Sequence, residues 1–402
     1  MSGSADAAVP RGLVLVVALL SMLGPFTIDT YLPSFPSIQA EFGVGPASMA
    51  QTLSFYLLAF AATTLLWGPV SDAFGRRRAV AASLLAYVAT SLGCALASDF
   101  SMLLVFRVLQ GMAASAGVVI GRAMIRDVHA GPKAQRALSS VMLLFALAPA
   151  LAPIVGGLLQ DALGWRAVFF FLVAYGVAAL ALVRFAMPET LPHHARQSIH
   201  PMRVLGAYAR TLRRPRFLAL VLSIALAFGG IFLYVSGSPA LVFDHLGYGA
   251  EDFAVLFVPF VGGLMVGSFI SGRLAHRWAA PSIVRSAFAV MLLATLLNIA
   301  QATLLPPAPS TVIGTLALYA CGAALAMPGI TVMSLDCFPQ QRGVASGMQG
   351  FVQMVVMAAV GGALMPLVHE RIAWFALGQF ALLCLALLCW TVATRLPPRP
   401  VA

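Results

Sequence analysis

Two ionisable residues stand where the chain is otherwise most apolar, and their types suit proton exchange. Asp29 is the only acid in the apolar run from 11 to 32, within Thr27-Ile-Asp29-Thr-Tyr31-Leu-Pro33. Arg107 falls early in another such run, 101–125, in Arg107-Val-Leu-Gln110-Gly111. A carboxyl group in apolar surroundings holds its proton more tightly, and a nearby cation loosens it. Such a carboxyl group can be tuned to exchange protons near neutral pH. An arginine inside lipid costs about 2.5–3.5 kcal/mol on insertion scales. Arg107 must therefore face a protein interior or a wet cavity and find a partner. The bland alternatives are an aspartate capping a helix end near Pro33 and an arginine snorkelling to the membrane surface.

Three further groups carry information. Gly68-Pro-Val-Ser-Asp72-Ala-Phe-Gly75-Arg76-Arg77-Arg78 joins two apolar runs. Its glycines permit a tight turn and close helix approach, and Asp72 can be neutralised by an arginine or a helix N-terminus. Pro149-Ala-Leu-Ala152-Pro153-Ile-Val-Gly156-Gly157 combines residues that bend a helix with residues that let two helices touch. Phe26, Tyr31, Gln110, Phe145, Tyr234, Phe257, Met348 and Met354 are candidates for an apolar substrate cavity, with core packing or lipid contact as the plainer reading. No phosphate-cradling loop, no Ser/His/Asp arrangement and no HExxH stands out, so neither ATP coupling nor catalysis is expected. Cys94, Cys321, Cys337, Cys384 and Cys389 include no CxxC and read as packing residues. No metal and no cofactor is expected.

The elements that must position these residues follow from composition. Of 402 residues, 61% are hydrophobic and 9% charged, with mean hydropathy +0.94. Soluble domains carry about 25% charged residues, so the solvent of this chain is lipid. Apolar runs of about 20 residues, enough to cross a ~30 Å hydrocarbon core, cover 11–32, 48–70, 78–97, 101–125, 136–160, 167–187, 217–243, 253–275, 282–304, 311–333, 343–367 and 371–396. The first is longer than a signal-peptide core and lacks a clear cleavage site, so it is expected to be retained as a span. With twelve spans, 21 of the 24 basic residues fall on the side that holds both termini. The other side has Arg166 and Arg371, and Arg107 lies within a helix. That asymmetry places both termini in the cytoplasm and explains the net charge of +11 without a nucleic-acid partner. The longest break, from Pro188 to Arg216, divides the chain into bundles 1–190 and 217–402 joined by a linker at 191–216. His193, His194 and His200 in that linker read as a solvated face. The halves echo weakly: Ser71 and Arg77 with Ser271 and Arg277, and Gly156–Gly157 with Gly361–Gly362. Two parallel six-helix repeats place a substrate site at their interface.

The 68–78 run resembles the loop signature of the major facilitator superfamily, Gly-x-Leu-x-Asp-Arg-x-Gly-Arg-Arg. Val70 and Ala73 depart from it. Arg107-Val-Leu-Gln110-Gly111 resembles the helix-four signature associated with proton-coupled members. The helix-five run resembles the antiporter signature, with Ala148 and Ala152 in place of its first two glycines. Asp29-Thr-Tyr31-Leu-Pro33 resembles the opening helix of the Bcr/CflA drug-resistance branch. Further matches to that branch are Arg122-Ala-Met-Ile-Arg126-Asp127, Gly164-Trp165-Arg166, Ser236-Gly237-Ser238-Pro239, Ser271-Gly272-Arg273-Leu274 and Gly343-Val-Ala-Ser-Gly347. The resemblance spans nearly the whole chain.

It implies an all-α integral membrane fold of two pseudo-symmetric six-helix bundles, and proton-coupled efflux of amphipathic compounds by alternating access. Asp29 would carry the proton and Arg107 would tune it. Gly68, Asp72, Gly75, Arg76 and Asp127 would form a cytoplasmic gate, with the helix start near Gly343 facing Asp72. Pro153, Gly156 and Gly157 would pack closely inside one bundle. The expected partners are a small-molecule substrate, protons and the lipid bilayer, for a monomer in a bacterial inner membrane. A carrier dedicated to one metabolite and a non-transporting sensor are the alternatives. The topology is directly testable: green fluorescent protein fused after Ala402 should fluoresce, and alkaline phosphatase fused there should be inactive. The reverse pattern would overturn the orientation.

Overall fold

A computed structural model describes residues 11–128, 131–192, 196, 201–304 and 309–397. His193, His194 and His200 lie outside these residues. All regular structure among them is helical. The helices are α1 (Arg11–Asp29), α2 (Phe35–Phe42), α3 (Pro46–Phe74), α4 (Arg76–Ala95), α5 (Phe100–Val128), α6 (Gly131–Phe145), α7 (Ala148–Leu163) and α8 (Trp165–Ala186). After them come α9 (Pro201–Leu212), α10 (Pro215–Ser236), α11 (Phe253–Leu274), α12 (Ala280–Leu304), α13 (Pro309–Leu335), α14 (Arg342–Ala359), α15 (Met365–Val368) and α16 (Ile372–Arg395).

Among the described residues, eleven helical segments are long and apolar enough to cross a membrane. The run expected as a fifth continuous span, 136–160, is instead two helices, α6 and α7, which meet at 146–147. Pro149 supplies no N–H to continue the ladder, and a proline ring clashes with the preceding turn; it sits in the first turn of α7, where both are tolerated. Other expected spans are interrupted near their ends. The first stops at Asp29 and resumes after a short turn at Leu32–Ser34. The seventh gives way after Ser236 to a π-helical turn at Ala240–His245. The eleventh contains a π-helical turn at Val360–Leu364. Such turns recur where a helix serves a functional contact. The linker also differs from a plain loop, since it contains α9.

Helices α1 to α8 pack among themselves: α1 on α5, α6 and α7; α3 on α5; α4 on α5 and α8. Helices α10 to α16 form a second group: α10 on α13, α14 and α16; α13 also on α11 and α12. Lipid offers no hydrophobic drive between helices, so small polar groups hold them. Thr63 and Ser115 hydroxyls meet at 2.8 Å between α3 and α5. Ser223 donates to the Ala386 carbonyl (2.9 Å) between α10 and α16, and Ser271 to Leu325 (3.1 Å) between α11 and α13.

The two groups meet through α3 against α14 and α7 against α11. Their closest contacts lie at the end opposite the arginine-rich loops. There Ser54 of α3 donates to the Ala358 carbonyl of α14, 2.9 Å away. Towards the arginine-rich end α3 loses its cover, and from Thr64 to Phe74 only Ser71 is buried. At that end α9 connects the groups, with the Tyr208 hydroxyl donating to the Leu65 carbonyl of α3 at 3.4 Å.

Candidate functional site

Arg107 lies in the second turn of α5 and is wholly buried. Its guanidinium carbon stands 4.5 Å from the ring centres of both Tyr31 and Tyr56. A desolvated cation over an aromatic face gains roughly 2 kcal/mol or more, and here two faces contribute. Nη1 donates to Gln110 Oε1 at 2.7 Å and to the Thr27 carbonyl at 3.3 Å. Gln110 in turn donates to Ser91 Oγ (2.8 Å) on α4, and Thr27 Oγ1 meets the Tyr87 hydroxyl at 2.6 Å. Nε and Nη2 have no partner, nor does the Tyr56 hydroxyl. These two nitrogens form one edge of the guanidinium, the fork that binds a carboxylate through two parallel hydrogen bonds.

Asp29 is the last residue of α1, two positions beyond the Thr27 carbonyl that Arg107 grips, and is 5% exposed. No ion pair within 4.0 Å joins Asp29 to Arg107 among the described residues. The rings of Tyr31 and Tyr56 occupy the faces of the cation, while the bare edge is where a carboxylate belongs.

The cavity candidates scatter. Tyr31 and Gln110 belong to the shell of Arg107. Phe26 stacks on Tyr175 of α8 at 5.3 Å. Tyr234 accepts a hydrogen bond from Asn298 at 2.6 Å inside the second group. Phe257 sits between Phe253 and Phe260, and Met348 is buried. Only Phe145 and Met354 keep partial exposure.

The gate candidates assemble around Arg76, at the start of α4. Its guanidinium contacts Asp72 at 2.6 Å, Asp127 at 3.0 Å and Ser71 Oγ at 2.6 Å. The Asp72 carboxylate pairs with Arg76, and Arg342, beside Gly343 at the start of α14, pairs with Asp336 at 3.1 Å. Gly68 meets no close neighbour: a Cβ there would find nothing within 4 Å. Gly75 is needed twice, by its φ of 97° and by a carboxylate oxygen of Glu189 that a Cβ would approach to 2.6 Å.

Glu189 was not legible as a gate residue. It accepts the backbone N–H groups of Arg76 (2.9 Å) and Arg77 (3.3 Å). A carboxylate there meets both the open donors and the positive end of the helix. Thr190 beside it donates to Asp127 at 3.1 Å. The available signal was a polar pair immediately after a span. Tyr56 was likewise missed; a tyrosine in an apolar run needs a use for its polar end.

Gly156 and Gly157 let α7 touch backbone on two sides. A Cβ at Gly156 would stand 2.1 Å from the Thr30 carbonyl oxygen, and one at Gly157 would stand 2.0 Å from that of Ala250. Thr30 follows Asp29, whereas Ala250 opens the approach to α11 in the other group. The glycine pair, expected to pack within one bundle, therefore joins two. Pro153 is buried inside α7. Overpacking costs about 1–3 kcal/mol, so Gly157→Leu should cut the population closed at this end by roughly five- to a hundred-fold. With the native cysteines replaced, Ser54→Cys and Gly361→Cys should cross-link readily, and far more slowly once Gly157→Leu is added. An unchanged rate would remove this role.

The model of the Major Facilitator Superfamily matches residues 17–362. The bicyclomycin resistance protein homolog of Haemophilus influenzae (strain ATCC 51907 / DSM 11121 / KW20 / Rd) is 28% identical over 87% of each chain. Multidrug resistance protein D of Escherichia coli (strain K12) is 26% identical over 96% of each. The crystal structure of a D-xylose-proton symporter superposes with a TM-score of 0.75 at 14% identity, covering 97% of this chain and 99% of that one, which supports the fold. The family model over residues 17–362 and the sequence match over most of the length make this multi-pass membrane chain a member of the Major Facilitator Superfamily, a transporter and not an enzyme.

Proposed function

We propose that this protein exports small amphipathic compounds, including antimicrobial drugs, from a bacterial cytoplasm in exchange for inward-moving protons. The observation that carries the reading is the bare edge of buried Arg107, which holds the Thr27 carbonyl two residues before the almost buried Asp29. Protonated, Asp29 is neutral and needs no cation. Once it releases the proton, its carboxylate gains by turning into the Nε–Nη2 fork, because a charge left unpaired at this depth is costly. That movement pulls on the end of α1 at Thr30, which touches α7 at Gly156. Gly157 passes the displacement to Ala250 in the other group. Proton release and opening of that end are thereby linked by contact. One charge crossing 100 mV contributes about 2.3 kcal/mol, enough for a modest uphill gradient.

In this reading bundles 1–190 and 217–402 rock about the linker 191–216, as a monomer in the inner membrane with both termini cytoplasmic. On the same reading the end closed by Ser54 and Gly157 is the outer one, and cargo enters from the cytoplasm. Relatives named for resistance to bicyclomycin and to multiple drugs support the class of cargo.

The test is drug susceptibility across a broad panel, in bacteria stripped of their own pumps. Cells express this protein or its Asp29→Asn variant at equal levels. Wild type should protect against several unrelated compounds, and the variant should fall to the level of empty cells. Protection that survives the substitution removes Asp29 from the mechanism. No protection by wild type turns the reading to a carrier of one metabolite.

Asp72→Asn gives a second test. It loosens Arg76 while leaving the Arg107 site untouched, so transport should slow several-fold with drug affinity little changed. A loss of affinity at unchanged turnover would exclude a gate.

A further inference from the structure

Between Glu189 and Asp244 the chain has no acidic residue, yet positions 191–216 hold six arginines. Among the described residues, Arg216 and Arg214 have partners within the protein. Arg216 donates to the Leu396 carbonyl at the end of α16, 3.1 Å away, and Arg214 lies over the Phe338 ring at 5.4 Å. Arg210 and Arg213 are exposed, and their guanidinium groups meet no carboxylate among the described residues. They are three apart, so they lie on one side of the helix end, with exposed Leu212 between them. Bare arginines flanking an exposed leucine, directly before the span that begins at Pro215, suit a headgroup layer.

The opposite face of α9 is engaged. Thr211 is buried. Tyr208 reaches α3 through the Leu65 carbonyl, and its ring lies 3.8 Å from where a Cβ on Gly347 of α14 would stand. Burial pushes the Tyr208 phenol up from its ordinary value, so it remains a donor. One helix thus presents arginines outward and touches both groups inward, at the end where those groups otherwise part.

We propose that α9 is a strap that binds anionic phospholipid headgroups of the adjoining leaflet through Arg210 and Arg213, and that this binding favours the state closed at the opposite end. Charge complementarity selects the occupant: an acid-free segment matches a phosphate diester, and a zwitterionic headgroup offers less. Nothing in this inference depends on the cargo or on proton coupling.

The full-length protein carrying Ser54→Cys and Gly361→Cys, without its native cysteines, is placed in bilayer discs of phosphatidylcholine with or without phosphatidylglycerol. No drug is present, so failure here is distinct from failure of the efflux reading. A photoreactive phosphatidylglycerol should label the peptide spanning α9. Arg210→Gln with Arg213→Gln should lower that labelling by roughly twenty- to thirty-fold, the factor expected for two arginines at an anionic surface. Lysine at both positions should retain most of it. Cross-linking should rise with phosphatidylglycerol in the parent and stay flat in the glutamine variant. Labelling that is equal in parent and glutamine variant overturns the site. Cross-linking that ignores phosphatidylglycerol overturns its effect on the state. Inorganic phosphate that competes as well as the lipid overturns the assignment to a membrane surface.

Discussion

A guanidinium buried in a membrane protein has to be neutralised, solvated or shared out among dipoles, and much of the first helix group is arranged to do this for Arg107. Two tyrosine rings cover its faces, and a glutamine and a backbone carbonyl accept from one nitrogen. The accepting groups come from α1 and α5, and Gln110 is itself held by α4. The rings come from α3 and from the turn after α1. Moving any of these elements would strip contact from a charge that has no water to fall back on. The one edge left open shows where a further negative charge would be stabilised.

The second constraint is steric. Helix α7 must approach the Thr30 carbonyl on one side and the Ala250 carbonyl on the other, and only glycines at 156 and 157 allow both. The break before Pro149 frees α7 to take an angle that a continuous helix from α6 would forbid. A residue beside the acidic site and a residue in the opposite group consequently share one rigid neighbour. Packed interfaces of this kind switch between discrete arrangements instead of deforming smoothly.

The other end of the molecule uses charge in a wetter setting. Arg76 bridges Asp72 and Asp127, while Glu189 and Thr190 tie the segment after α8 onto the same turn. These contacts all lie within the first group, so this turn is a firm unit. Contact between the groups here passes through α9. A molecule fastened by glycines and a serine at one end and by a single amphipathic helix at the other has an evident direction in which to open.

What the sequence by itself determined is the medium, the number of crossings to within one broken helix, and the ionisable residues that had to be protein-facing. Long apolar runs and the cost of a charge in lipid act locally, so position along the chain suffices to read them. The runs 68–78 and 149–157 and the single residues Asp29 and Arg107 were legible for the same reason. Tertiary structure alone decided the partners. Tyr31 and Gln110 read equally well as cavity lining or as cover for a cation, because an apolar run does not say which helix it will face. Arg107 and Asp29 lie 78 positions apart, and only the packing shows that Arg107 grips the Thr27 carbonyl, two residues before Asp29. Glu189 caps a helix that begins 113 residues earlier, and Gly157 meets a chain segment in the other group. Contacts of that range follow from how the helices pack, which a hydropathy pattern leaves open because lipid accepts any apolar face.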